Sequence, residues 1–137
     1  MNDIFSIENK VIIVTGAGRG IGEFIAKNLA IRKALVFCID KKFPNSVPND
    51  LTDNLFHLIC DVTKPKIFQK HCKNIFSKYK KIDALVNCAG ISYAVQNKNE
   101  FYPEKKWLET INVNLTAAFN CSQTAISYMI KKKSGSI

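Results

Sequence analysis

An α/β fold with a parallel sheet is predicted by three features of the chain. Short apolar runs alternate with longer segments of helical periodicity. The run Ala34–Ile39 is apolar throughout, as in a strand covered on both faces. The first run passes straight into a glycine-rich turn and then a helix. Strands linked through helices in this way lie parallel, with right-handed connections. The 137 residues suit one domain, spanning 1–137, with no repeat or linker.

The elements follow in order. Residues 10–15 read as the first strand, and Gly22 to about Lys33 as the first helix, with Ile25, Ala26, Leu29 and Ala30 at helical spacing. Ala34–Ile39 is the second strand. Phe43 to Asn54, with Pro44 and Pro48, reads as loop with at most a short helix. Phe56–Cys60 is the third strand, and Pro65 suits the first turn of a helix reaching about Tyr79. Its face carries Ile67, Phe68, Cys72, Ile75 and Phe76. Ala84–Cys88 is the fourth strand, followed by a polar loop from Ser92 to about Pro103. A long helix from about Glu104 to Lys131 places Leu108, Ile111, Leu115, Ala118, Ser122, Ala125 and Met129 on one stripe. Phe119, Ile126 and Ile130 form a second stripe, so this helix is expected to be covered on two sides. Ser136-Ile137 reads as the start of a fifth strand.

Composition narrows the class. Hydrophobic residues make up 47% and charged residues 23%, the balance of an ordinary globular protein. No apolar run approaches the roughly 18 residues of a membrane span, and Met1–Phe5 lacks the basic start of a secretory signal, so the expectation is a cytoplasmic protein without a membrane partner. Five cysteines without C-x-x-C spacing, mostly inside apolar runs, read as core residues in a reducing compartment, with no metal site. The net charge of +9 comes mainly from lysines spread along the chain and not interleaved with stacking aromatics. It reads as solvated faces and helix ends, not as a nucleic-acid surface, and it would attract an anionic ligand.

The chemistry begins at Val11–Gly22. A strand, a glycine turn and a helix together hold phosphates: glycines let the backbone come close, and the helix start offers unpaired N–H groups. Read as G-x-G-x-x-G from Gly16 the motif fails, because the sixth position is Ile21. Read as T-G-x-x-x-G-x-G it fits, with Thr15, Gly16, Gly20 and Gly22 in the fixed places and Gly18, Arg19 and Ile21 between them. Asp40, 18 residues after Gly22 at the end of the second strand, can accept hydrogen bonds from ribose hydroxyls and repel a 2′-phosphate. That favours NAD. Arg19 and Lys41-Lys42 point the other way, so NADP stays open.

This glycine spacing, with matching sites downstream, resembles the short-chain dehydrogenase/reductase family over essentially the whole chain. The resemblance implies a Rossmann-like doubly wound sheet of order 3-2-1-4, here cut off after the fourth strand and the long helix. It further implies that Asp61 accepts from the adenine amino group while Val62 packs on the ring. The plainer alternative for Asp61 is that it starts the next loop or caps a turn. Asn87-Cys88-Ala89-Gly90 is similar to the family's N-N-A-G element, which supports the sheet and lines the cofactor; Cys88 replaces the second asparagine. Asn114 matches the active-site asparagine, whose backbone carbonyl in a locally distorted turn holds a water linked to the catalytic lysine. The residue-level alternative is a side chain that caps a neighbouring backbone.

The family's tyrosine acts as general acid/base, with a lysine four residues later and a serine orienting the substrate. Tyr102…Lys106 and Tyr128…Lys132 have that spacing, but in so lysine-rich a chain such matches arise by chance. Tyr102 precedes Pro103 in a loop, and Tyr128 lies 14 residues past Asn114, roughly 21 Å along the helix. Neither is expected to be the acid, and the family's own pair would fall beyond Ile137. The chain therefore reads as the N-terminal, cofactor-binding half of an oxidoreductase for an alcohol or carbonyl substrate, inactive alone and homo-oligomeric when complete. The alternative is a dinucleotide-binding module without catalysis. An apolar fourth strand left at the edge is expected to make the isolated chain marginal in stability.

Overall fold

A computed structural model of the chain describes residues 5–44, 53–94 and 101–137. Among these, β1 (Val11–Thr15), β2 (Leu35–Asp40), β3 (Leu55–Ile59) and β4 (Ala84–Asn87) form one parallel sheet in the order β3-β2-β1-β4. The helices are α1 (Gly20–Ile31), α2 (Pro65–Tyr79), α3 (Glu104–Ile111) and α4 (Ala118–Lys132), the last two joined by a π-helical turn, Asn112–Ala117. The fold class and strand order are those expected. The readings for residues 1–4, for most of the 43–54 loop and for part of the 92–103 loop lie outside the described residues.

β1 is buried along its whole length because β2 and β4 flank it and helices cover both faces. Its side chains alternate. Val11 and Ile13 join Phe37, Ile39 and Leu85 in a core that Phe68, Cys72 and Ile75 of α2 and Cys121, Ala125 and Met129 of α4 complete. Ile12 and Val14 join Val36 and Cys38 on the other face, where α1 packs through the small Ala26 and Ala30. Four cysteines are core residues, as expected, and burial is the main cause that pushes their thiols up, to about 12 for Cys38, Cys72 and Cys121 and about 11 for Cys60.

At the amino ends of the strands, Asp83 fastens β1 to β4. The Val11 N–H donates to its Oδ2 at 2.7 Å, and Lys81 and Lys10 stand 3.4 and 3.8 Å from its oxygens. Ser136 adds to β4 in parallel as a fifth strand would: its N–H donates to the Asp83 carbonyl at 3.1 Å, and its carbonyl accepts from Leu85 at 3.0 Å.

Two expectations need correction. The first helix begins at Gly20, so Gly20, Ile21 and Gly22 form its first turn. The long helix buries Ala117, Cys121, Ala125 and Met129, while Leu108, Leu115, Phe119 and Ile130 are exposed; it is covered on one side among the described residues. Cys121, Ala125 and Met129 recur at four-residue spacing within α4, where 3.6 residues per turn suits Cys121 and Ser122 about equally, so the expected stripe took Ser122 for the buried position.

Candidate functional site

The predicted residues converge on the carboxyl ends of the strands, the edge where open α/β sheets bind ligands. Thr15 is level with Ile39 of β2 and Asn87 of β4, and Asp40 with Ile59 of β3, so four strand ends open on one crevice.

The glycine turn is shaped by close backbone approaches. Gly16 has φ +67°, and a Cβ there would lie 2.6 Å from the Ala89 backbone. A Cβ on Gly18 would lie 2.6 Å from the Lys42 carbonyl oxygen and 2.9 Å from the Asp40 carboxyl. Gly20 is the contrary case: with φ +60° a Cβ there would meet nothing within 4 Å, so this turn opens outward. No side chain caps the first turn of α1 among the described residues. Its leading N–H groups, with Arg19 exposed at the N-cap, suit an anion.

Asp40 Oδ2 accepts from the Gly18 N–H at 2.9 Å, which fixes the carboxylate beside the turn. Oδ1 has no partner among the described residues and is available to hydroxyl donors. Asp61 Oδ1 accepts from the Thr63 N–H and hydroxyl at 2.9 and 2.7 Å, while Oδ2 lies 3.1 Å from Lys41 Nζ. Burial works against its ionisation, but the bonds from Thr63 and Lys41 outweigh it and hold the carboxyl below its ordinary range. The turn cap read from the residues is thus formed. Val62 is 7% exposed and belongs to the core under α2, leaving only its rim to a ring.

Thr15 is 1% exposed. Its hydroxyl accepts from the Cys88 and Ala89 N–H groups, both at 3.2 Å, and points to the Val86 carbonyl at 3.5 Å. Thr15 therefore positions the Asn87–Gly90 turn against the glycine turn. Asn87 donates to Ser122 Oγ at 3.0 Å, and that hydroxyl donates to the Ala118 carbonyl at 2.8 Å. Asn114 lies inside the π turn, the local distortion expected there. Its side chain makes two bonds with one residue, Nδ2 donating to the Ile91 carbonyl and Oδ1 accepting from the Ile91 N–H, both at 2.9 Å. The side-chain cap and the distorted backbone occur together.

Four partners escaped sequence reading: Thr63, Lys41 as a partner of Asp61, Ser122 and Ile91. Thr63 had a signal, since an Asp followed two residues later by Thr forms a side-chain turn. Ile91 had none, because any residue offers the backbone groups that Asn114 uses.

The two Tyr-x-x-x-Lys matches are not couples. The Tyr102 hydroxyl faces Thr110 Oγ1 at 3.4 Å, while Lys106 donates to Glu109 at 3.2 Å. Tyr128 packs on Phe76, and burial raises its phenol, opposite to what an acid/base tyrosine needs.

Comparison with known proteins places this geometry. A family model described as short chain dehydrogenase matches residues 10–137. The 2-dehydro-3-deoxy-D-gluconate 5-dehydrogenase of Bacillus subtilis is 33% identical over 141 residues, covering 100% of this chain and 54% of that protein. The 3-oxoacyl-[acyl-carrier-protein] reductase FabG of Salmonella typhimurium is 33% identical over 134 residues, covering 96% and 54%. The ligand-free aldohexose dehydrogenase of Thermoplasma acidophilum superposes with a TM-score of 0.78 at 34% identity, over 91% of this chain and 46% of that one. The chain spans about half the length of these relatives.

Proposed function

The chain belongs to the short-chain dehydrogenase family, and from that premise we propose that it is the dinucleotide-binding part of an oxidoreductase acting between an alcohol and a carbonyl, with NAD as its cofactor. The observation that carries this reading is the Asp40 carboxylate held against the Gly18 N–H beside the uncapped first turn of α1. The residues present fit the group. Backbone N–H groups at Gly20–Gly22 would take the pyrophosphate, Asp40 Oδ1 the adenosine ribose hydroxyls, and the Asn87–Gly90 turn the other end. When bound, the nicotinamide accepts or supplies a hydride. The protein's share in this stretch is to bind and orient, and Asn114 presents a π-turn backbone beside the same turn. Proton transfer is assigned to neither Tyr102 nor Tyr128.

The two dehydrogenases and the reductase matched above support the reaction class; their substrates are their own. NAD+ and NADP+ titrated into the chain, followed by calorimetry, test the cofactor. The expected result is tighter binding of NAD+, with Asp40→Ala weakening it about tenfold, the worth of a charge-assisted hydrogen bond of ~1.4 kcal/mol. Binding of neither dinucleotide overturns the reading. Binding without turnover of any alcohol or carbonyl would favour the non-catalytic module.

A further inference from the structure

We propose that Lys41 and Asp61 form a charge latch that sets the cofactor preference: Asp61 holds the ammonium group that would otherwise receive a 2′-phosphate. The proposal rests on the dinucleotide reading given above and names a specificity device within that site.

The latch follows from the sheet. Lys41 comes directly after the last residue of β2, and Asp61 stands two residues beyond the end of β3. The strands are neighbours, and the Cys60 N–H donates to the Asp40 carbonyl at 2.8 Å, so the strand ends leave the sheet side by side. The partners are unequal. Asp61 is fixed by two bonds from Thr63 and its side chain is 28% exposed, whereas the Lys41 side chain is 63% exposed and only its tip is held, 3.1 Å from Asp61 Oδ2. The carboxylate is the built half and the lysine the movable half.

Lys41 also adjoins Asp40, which stands where ribose hydroxyls would be read. A free ammonium one residue from that carboxylate is well placed for a phosphate on the same ribose, since lysine acts as a compact point charge on a flexible stem. Bound to Asp61, it has its charge met and its tip held. Oδ2 keeps a second lone pair, so Asp61 can still accept another donor while holding Lys41. Arg19 and Lys42 remain at this edge in every variant below and act as a constant background.

The test is a double-mutant cycle read as binding of NAD+ and NADP+ to the wild-type chain, Asp61→Asn, Lys41→Gln and the double variant. Asn keeps the oxygen that Thr63 bonds but loses the charge. Asp61→Asn is expected to strengthen NADP+ about tenfold relative to NAD+, Lys41→Gln alone to leave the ratio within about twofold, and the double variant to cancel the gain. A gain that survives Lys41→Gln overturns the latch, because Asp61 would then act by repulsion alone. A loss of NADP+ binding in Lys41→Gln alone also overturns it, because Lys41 would already serve the phosphate. NAD+ binding with one unchanged preference in all four proteins overturns only the latch; a wild-type chain that binds neither overturns the dinucleotide reading as well. A cofactor-free readout is the Asp61 carboxyl titration by NMR, expected to move up in Lys41→Gln; an unmoved titration overturns the ion pair.

Discussion

The glycine turn and the asparagine side of the site are built in opposite ways. From Gly16 to Gly22 the backbone is shaped by missing side chains: a Cβ at Gly16 would strike Ala89, and one at Gly18 would strike Asp40. Around Asn87, Ala89 and Asn114 the backbone is shaped by side chains that are present, Thr15 on the Cys88 and Ala89 N–H groups, Asn114 on Ile91, and Asn87 on Ser122. The first half is vulnerable to added atoms and the second to lost ones. The two halves touch at Thr15-Gly16, where a side chain and the lack of one act on the same turn.

An added atom at that junction should break the contrast most severely. Gly16→Val combines positive φ with a clash against backbone, and we expect a loss of at least ~3 kcal/mol in urea unfolding, or failure to fold. A lost atom next door should cost less. Thr15→Val keeps the shape but leaves two half-buried N–H groups without their acceptor, for about 2 kcal/mol, while Thr15→Ser should recover most of it. Equal losses for valine and serine would mean that packing, not the hydroxyl, positions the turn.

Farther out, Asn114→Ala removes both bonds to an exposed stretch of backbone. A loss of about 1 kcal/mol is expected, with hydrogen exchange at the Ile91 amide quickened and that at Val14 unchanged. The smallest effect is acid sensitivity at Asp61, a side chain that shapes the turn after β3 by its presence. Its carboxyl is held below its ordinary value of 3.8, so its contribution is complete above that value and is lost as pH falls through the lower folded one. Urea midpoints of the wild type and Asp61→Asn should therefore differ by a constant at neutral pH and converge below about 3.8. A difference that grows toward low pH would reverse the sign and remove the stabilising role.

What the sequence made legible follows the same division. Continuous apolar runs and a fixed glycine spacing are local signals, and they placed β1, β2 and the glycine turn to within two residues. Asp40 was legible because a strand end after a measured gap is also local. Lys41 binding Asp61 was not, since Lys41 alone reads equally as a phosphate ligand until β3 is laid beside β2. The long helix shows the limit of periodicity: Ala125 and Met129 were found, but steps of three and four residues both keep to one helix face, and the expected stripe took Ser122 where Cys121 is buried. Its second apolar stripe was legible as a pattern, and the described residues leave Phe119 and Ile130 of it exposed at 60% and 68%.

The clamp from Thr15 to Cys88 and Ala89 spans 73 and 74 residues, and β1 pairs with β4 across the longest gap between any two paired strands. Closing so long a loop is the slow part of building such a sheet. The β1–α1–β2 segment can collapse early, but the crevice exists only after β4 has docked. Any molecule that fills the crevice therefore recognises a chain that has finished folding, and by mass action it would slow the return to the open state. The appearance of binding capacity during refolding would then serve as a clock for the last strand.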